Sequence, residues 1–223
     1  MNETIERIKH FPLTKILLGI GICFSLMVGI QNFVSKPFFY GLIEDKSIAD
    51  PLIHCISIFV LLLGYYYLFR LYDKREITEL SIKYLYKEMF GGFALGFATI
   101  SLSIFILFLS GYYQIVDVTT AHYSIKLFGV LMVAALIEDL FIRGLIVREC
   151  ENWLGTHLAI IIGMLFETWH IFNDNSNLFS LFADLVWGFT LAMLYVYTKR
   201  IWLPFFFHLG WNFAQPFYGS NLT

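Results

Sequence analysis

The strongest constraint on this chain is a series of long apolar runs that carry almost no charge. Ile16–Val34 and Met89–Gly111 are each long enough to cross about 30 Å of hydrocarbon as a helix. Charged residues make up 14% of the chain and hydrophobic residues 58%, whereas an ordinary soluble domain carries about 25% charged residues. The runs are continuous rather than alternating, which excludes a transmembrane barrel. The sequence therefore predicts an all-α, polytopic integral membrane protein.

Seven apolar segments follow one another along the chain, and we predict that each forms a membrane-spanning helix. The fifth is short, and the last two are separated only by a turn at 198–200. No internal repeat or low-complexity linker interrupts the pattern, so we expect a single domain over residues 1–223, with the polar motifs in a core at 125–217. The segments are Ile16–Val34, Ile53–Phe69, Met89–Gly111, Ile125–Val147, Leu158–Phe172, Leu178–Tyr197 and Ile201–Phe217.

The positive charges predict the orientation of these helices, because Lys and Arg accumulate in loops on the cytoplasmic side. With the N-terminus inside, the outer loops keep only Lys36, Lys46 and the boundary residue Lys126, and an odd number of spans places Thr223 outside. No basic tail suggests a nucleic-acid partner. The inner side receives Arg7, Lys9, Lys15, Arg70, Lys74, Arg75, Lys83, Lys87, Arg148, Lys199 and Arg200.

The stretch from Asp73 to Glu88 differs from the apolar segments because charged residues are interleaved with apolar ones. Ile77, Leu80, Tyr84 and Leu85 recur at helical spacing between these charges. This pattern predicts an amphipathic helix that lies on the inner membrane surface. A solvated connector helix fits the same pattern.

Ionisable residues within the predicted spans are the informative exceptions, since each costs about 2.5–3.5 kcal/mol at the centre of a membrane helix on insertion scales. Such residues face the interior of a helix bundle and mark functional sites. Asp184 in the sixth span is expected to be a cap or a helix contact. The other polar residues are Glu138, Asp139 and Arg143 in the fourth span, Glu167 and His170 in the fifth, and His208 and Asn212 in the seventh.

Helical geometry allows these polar groups to satisfy one another. Asp139 and Arg143 are four residues apart, so they share a helix face and can form a salt bridge. Glu138 projects about 100° away from Asp139 and is free to contact a different helix. His208 and Asn212 are also four residues apart and point the same way.

Glu138, His170 and His208 are expected at a common depth, since each falls roughly 12–20 Å from the inner face at about 1.5 Å per residue. A carboxylate and an imidazole beside a water molecule could remove its proton as it attacks a carbonyl group. A second imidazole and the amide of Asn212 could donate hydrogen bonds to the developing oxyanion. This combination of groups indicates hydrolysis of a peptide bond inside the membrane.

Three motifs in this region resemble those of the CPBP family of intramembrane proteases, which includes the CAAX prenyl proteases and bacteriocin-processing enzymes. The family has EExxxR, FxxxH and HxxxN/D in that order. Here the motifs are Glu138-Asp139-x-x-x-Arg143, Phe166-x-x-x-His170 and His208-x-x-x-Asn212.

The resemblance implies an intramembrane endopeptidase of a family that is described both as metal-dependent and as glutamate-based. The sequence contains no HExxH motif, so we expect no metal cofactor. By that resemblance, Glu138 and His170 would activate water, and His208 and Asn212 would form the oxyanion hole. Asp139 stands where the family has glutamate, and with Arg143 it would support the site structurally. The expected partners are the lipid bilayer and a substrate that is a peptide or a lipidated or other membrane protein. We expect a bacterial cytoplasmic membrane as the location.

Two alternatives stay open from the sequence. The first is a zinc-dependent intramembrane protease, because Glu167 and His170 form Glu-x-x-His on one helix face, and Glu138 and His208 could complete a zinc shell. The second is a membrane scaffold or immunity protein that binds a partner without hydrolysing it. Hydrolysis by the purified protein separates enzyme from scaffold, and metal analysis separates the two chemistries.

Overall fold

The computed structural model describes residues 3–118, 125–173 and 176–219, and every regular element within these ranges is helical. Thr223, which we predicted to lie outside, falls beyond the described residues. The α-helices are α1 (Glu3–Lys9), α2 (Pro12–Ile30), α3 (Lys36–Leu42), α4 (Lys46–Tyr72), α5 (Leu85–Leu109), α6 (Ile125–Glu138), α7 (Arg148–Leu154), α8 (Thr156–Phe166), α9 (Leu178–Thr198) and α10 (Trp202–Ala214).

Several of these helices are continuous with the element that follows them. A π-helical turn at Gln31–Ser35 joins α2 to α3, and a longer π-helical segment at Asp139–Val147 joins α6 to α7. Turns of 3-10 helix extend α8 through Glu167–Phe172 and α10 through Gln215–Tyr218. Over the described ranges, one continuous helical stretch after α1 therefore corresponds to each of the seven predicted apolar segments.

Four helical stretches are long and apolar enough to cross a membrane by their length and composition. The stretch at Thr156–Phe172 is a shorter apolar helix, and the stretch formed by α6 and α7 contains the ionisable residues of the fourth predicted span. The chain is therefore an all-α, polytopic membrane protein, as its sequence predicted. The four long spans are Pro12–Leu42, Lys46–Tyr72, Leu85–Leu109 and Leu178–Thr198.

Helix α4 lies at the centre of the N-terminal half, where it packs against α2 on one side and α6 on the other. Its buried face carries Tyr65 and Phe69, which meet Leu140 and Leu145 of the π-helical segment in one apolar core. In the C-terminal half, α8 packs against α7 and α9, while α10 packs most extensively against α5. The π-helical segment contacts α2, α8 and α9 in addition to the two helices that it joins.

Small residues allow α5 and α10 to approach closely. The sequence places Gly92 and Gly96 four residues apart on α5, and both are buried. A Cβ atom at Gly92 would come within 2.9 Å of the Leu203 carbonyl oxygen, and one at Gly96 would collide with the backbone of Phe207. The close contact fixes α10, which carries the third sequence motif, against α5.

The positive residues that we predicted to lie inside gather at one end of the bundle. Lys199, in the turn between α9 and α10, binds Glu151 of α7 with a distance of 2.6 Å between Nζ and Oε1. Arg200 in the same turn pairs with Glu88 in the first turn of α5. These contacts join the ends of three helices on one side. The side of the membrane that this end faces stays a prediction.

The prediction of an amphipathic helix between Asp73 and Glu88 is wrong. The segment is a loop with a single turn of 3-10 helix at Thr78–Leu80, and α5 begins only near its end. Lys74 has a φ of 52°, a left-handed conformation that stops helical propagation from α4. Glu79 of the loop is buried and pairs with Arg75 and with Arg148 at the start of α7, instead of facing water along one side of a helix. The helical spacing of its apolar residues was therefore misleading.

We predict that Gly96→Ala destabilises the protein, because the added methyl group forces α5 and α10 apart and such overpacking typically costs about 1–3 kcal/mol. Gly91→Ala is the matched control, since its Cβ would meet nothing within 4 Å. Alanine favours helix over glycine by up to about 1 kcal/mol, so the control should be neutral or stabilising. Unfolding midpoints in detergent compare the two, and equal effects would contradict the close packing at Gly96.

We predict that the end of the bundle with Lys199 faces the cytoplasm. In a variant lacking the three native cysteines, an impermeant maleimide added to intact cells should label Ser47→Cys and leave Lys83→Cys unlabelled. Both positions are exposed. Ser47 lies at the beginning of α4, and Lys83 lies in the loop after the other end of α4. Labelling only at Lys83→Cys would reverse the orientation.

Candidate active site

The first half of the site is the π-helical segment that interrupts the helix formed by α6 and α7. All nine of its residues, Asp139–Val147, are buried. A π-helical insertion inside an α-helix changes the direction in which the following side chains point, and such insertions are frequent at functional sites. Here it begins at Asp139, directly after Glu138, so the first sequence motif straddles the change in helical geometry.

Arg143 is fully buried and is held by two carboxylates. Its Nη1 lies 3.4 Å from Oδ1 of Asp139, which confirms the salt bridge predicted from their four-residue spacing. Its Nη2 lies 2.5 Å from Oε1 of Glu167. The sequence did not predict this second ion pair. The three side chains have no exposed surface. Glu167 comes from the 3-10 turn after α8, so this pair joins two different helices.

Asp139 has a second partner, His208 of α10. The distance between Nδ1 of His208 and Oδ2 of Asp139 is 3.0 Å, and both side chains are buried. Because an ionised carboxylate only accepts hydrogen bonds, Nδ1 of the imidazole must carry the proton. The other ring nitrogen, Nε2, lies 3.8 Å from Oε2 of Glu138. His208 is thus oriented by one carboxylate and faces the other, and Trp187 packs edge-on against its ring.

His170 lies across the site from α10. Its carboxylate neighbours are Glu138 and Glu167, and one ligand-type atom from each of the three residues falls within 4.8 Å of the others. Nδ1 of His170 lies 2.9 Å from the backbone carbonyl oxygen of Glu167. A carbonyl oxygen also only accepts, so Nδ1 carries the proton and Nε2 of the neutral ring keeps its lone pair. His170 and Glu138 are both partly exposed, in contrast to Glu167.

Of the residues predicted for the site, Asn212 is the one whose side chain does not join the polar contacts described above. It lies one helical turn beyond His208 on α10 and is half-buried. Its side chain makes no hydrogen bond to any of the described residues. The four-residue spacing nevertheless puts it on the face of α10 that carries His208. Its amide is thus available to a bound substrate.

Asp184 was expected to be a cap or a helix contact, and it does not cap α9. The N-cap of α9 is Asn177, whose side chain accepts from the backbone of Phe179 and Ser180. Asp184 lies in the second turn, is half-buried, and experiences the charges of both His170 and Glu167.

The residues from three predicted spans therefore converge on one region inside the bundle. Glu138 lies between the two histidines, at contact distance from His208 and within the cluster that contains His170. Asp139, Arg143 and Glu167 form a fully buried layer behind these groups. A water molecule or a carbonyl group that enters beside Glu138 would meet a carboxylate and two imidazoles. Such a set can move a proton and can stabilise a developing negative charge.

Comparison with known families bears on the same residues. Residues 120–214 match the family described as type II CAAX prenyl endopeptidase Rce1-like. This segment of the chain is therefore similar to the Rce1-like endopeptidases. The match covers less than half of the chain, but it contains all three motifs, from Glu138 to Asn212. It confirms the resemblance to the CAAX proteases that those motifs indicated. No curated protein and no solved structure matches the chain significantly.

We predict that Arg143→Met destabilises the protein by about 3–5 kcal/mol, because it leaves two buried carboxylates without a cation. Methionine keeps much of the side-chain volume, so the loss reports charge rather than packing. The double variant Arg143→Met with Glu167→Gln should recover part of the loss, since one uncompensated carboxylate is removed. Denaturant unfolding in mixed micelles measures both variants. A double variant no more stable than Arg143→Met alone would contradict the pairing with Glu167.

Proposed function

We propose that this chain is an intramembrane endopeptidase that hydrolyses a peptide bond with water activated by Glu138 and His170. The observation that carries the proposal is the clustering of Glu138, Glu167 and His170 within 4.8 Å, with His208 3.8 Å from Glu138, inside a helical membrane bundle. The Rce1-like match over the same residues supports an endopeptidase of the CAAX protease type.

Glu138 and His170 are suited to share the removal of a proton from water. Both side chains are partly exposed, so water can reach them, whereas Glu167 is fully buried and neutralised by Arg143. The hydrogen bond from Nδ1 of His170 to the Glu167 carbonyl leaves Nε2 free to accept a proton. General base catalysis of this kind contributes typically about 10²–10⁴ to the rate.

His208 and Asn212 are proposed to stabilise the oxyanion. Since Nδ1 of His208 donates to Asp139, its Nε2 carries a proton only when the ring is the imidazolium ion. Asp139 and Glu138 are the two carboxylates that would balance this charge. Asn212 would donate from its amide, one helical turn further along α10. The oxyanion would then meet one charged donor and one neutral donor in a region of low dielectric.

The substrate class follows from the location of the site. A peptide bond must enter the bundle from the membrane or from its surface, so we propose a peptide or a lipidated or other membrane-associated protein as substrate. We propose a bacterial cytoplasmic membrane as the location, with the end that carries Lys199 facing the cytoplasm.

We predict that Glu138→Gln abolishes turnover while substrate binding is retained, because the amide keeps the shape of the side chain and cannot accept the proton. Asn212→Ala should lower kcat about 10²–10³-fold and leave residual activity, since one oxyanion donor is lost and His208 remains. Release of product from a quenched fluorescent peptide in proteoliposomes measures both. Full activity of Glu138→Gln would show that Glu138 takes no part in the reaction.

A second candidate is a zinc-dependent protease, and the favouring observation is again the cluster of Glu138, Glu167 and His170. These side chains offer the oxygen and nitrogen ligands that zinc accepts, and one position would remain open for water. Two features favour the metal-free reaction: His208 lies outside this cluster, and Glu167 is already bound to Arg143.

Elemental analysis of the active protein together with a chelator titration separates the two chemistries. The glutamate–histidine mechanism predicts activity that persists in excess chelator without stoichiometric zinc. Stoichiometric zinc that is lost together with activity, and whose return restores activity, would overturn that mechanism. Absence of any hydrolysis above the Glu138→Gln background, with binding of a peptide retained, would instead favour a scaffold or immunity protein.

A further inference from the structure

The loop between α4 and α5 contains a buried carboxylate that the proposed reaction does not use. Glu79 has no exposed surface. Arg75 binds both of its oxygens, at 2.6 Å and 3.0 Å, and Nε of Arg148 lies 3.6 Å from Oε1. Burial opposes the charge on Arg75, but its hydrogen bonds with Glu79 and the opposite charge outweigh that effect and raise the pKa of Arg75 above its ordinary value. The loop is thereby anchored beneath the bundle.

Tyr65 of α4 links this carboxylate to the polar π-helical segment. Its hydroxyl oxygen lies 2.7 Å from Oε1 of Glu79 and 2.7 Å from the backbone carbonyl oxygen of Gly144. A hydroxyl group has one proton, so it can donate to only one of these acceptors at a time. Gly144 directly follows Arg143, and Tyr65 itself is fully buried. The contact therefore reaches the backbone of the segment that orients Asp139.

The backbone of the same loop holds the beginning of α10. The N–H group of Ile201, the N-cap of α10, donates to the carbonyl oxygen of Glu79 at 3.1 Å. The indole Nε1 of Trp202 donates to the carbonyl oxygen of Ser81, also at 3.1 Å. Glu79 is thus connected through its side chain to the π-helical segment and through its backbone to the helix that carries His208.

These connections bear on the geometry of the site because they add to the packing of the helices a further constraint on how far one helix can slide along another. Hydrogen bonds are directional and fix that position. The bond between Asp139 and His208 requires the π-helical segment and α10 to keep their relative height. A misplacement of about 1 Å in an active site can cost about 10²-fold in rate.

We infer that Tyr65 is a positioning residue of the site. Its hydroxyl, with Glu79, sets the height of the π-helical segment relative to α10 and so holds Asp139 against His208. The inference deepens the proposed function and rests on it for its effect on rate. Its effect on the bond between Asp139 and His208 can be measured without any substrate.

The test compares Tyr65→Phe with Tyr195→Phe in the full-length protein. Tyr195 is the matched control, because it is also buried and lies within range of the charges of Glu79 and Arg148, yet its hydroxyl makes no hydrogen bond to the described residues. Tyr65→Phe should lower kcat about 10–10²-fold with KM unchanged, whereas Tyr195→Phe should retain the activity of the wild type. Unfolding midpoints of the two variants establish conditions under which both are folded, and the activities are compared there.

The second readout is the Nδ1–H proton of His208 in ¹⁵N-histidine-labelled protein, assigned by its loss in His208→Gln. Its signal should shift and exchange faster with water in Tyr65→Phe, and stay unchanged in Tyr195→Phe. Glu79→Gln should shift the His208 signal in the same direction. The substitution keeps the backbone hydrogen bond with Ile201, but a neutral amide oxygen is a weaker acceptor for the Tyr65 hydroxyl than a carboxylate oxygen.

The two readouts keep this inference separate from the proposed function. Wild-type kcat and an unchanged His208 signal in Tyr65→Phe would overturn the inference while leaving the protease intact. An inactive wild type would overturn the proposed function, and the His208 signal would still decide the role of Tyr65. Equal losses in Tyr65→Phe and Tyr195→Phe would show that only general packing is at work, which also overturns the inference.

Discussion

The buried guanidinium of Arg143 is the group around which the rest of the structure is arranged. A charge at the centre of a membrane protein is costly unless opposite charges surround it. Asp139 supplies one from the same helical segment, and Glu167 supplies the other from the turn after α8. Because the two carboxylates come from different elements, the ion pairs also hold the π-helical segment against the 3-10 turn that follows α8. Glu138 and His170 then lie next to each other as a consequence.

Polar contacts connect the helices at two heights, and mostly apolar packing fills the space between them. At the level of the site, Asp139 of the π-helical segment binds His208 of α10. At one end of the bundle, Glu79 receives hydrogen bonds from Tyr65 and Ile201. Between these levels, residues such as Leu140 and Leu145 are fully buried in the apolar core. The apolar contacts stabilise the bundle, whereas the two polar levels specify how its helices are aligned.

The two histidines of the site differ in the acceptor of their Nδ1 proton, and this difference suits them to different work. His208 donates to a carboxylate, which supports a positive ring. His170 donates from Nδ1 to the backbone carbonyl oxygen of Glu167, which carries only a partial charge. In the proposed reaction, His208 would donate to the oxyanion and His170 would accept a proton. Their separation on two helices keeps these environments distinct.

The sequence by itself determined the membrane class, the positions of the apolar helices and the salt bridge between Asp139 and Arg143. These features depend on local hydrophobicity and on four-residue spacing within one helix, both of which are written in neighbouring residues. Only the tertiary structure decided that Asp139 also binds His208, 69 positions away, and that Glu167 binds Arg143. It also replaced the expected helix at 73–88 with a loop. Long-range partners depend on how separate helices meet, and no local periodicity encodes that.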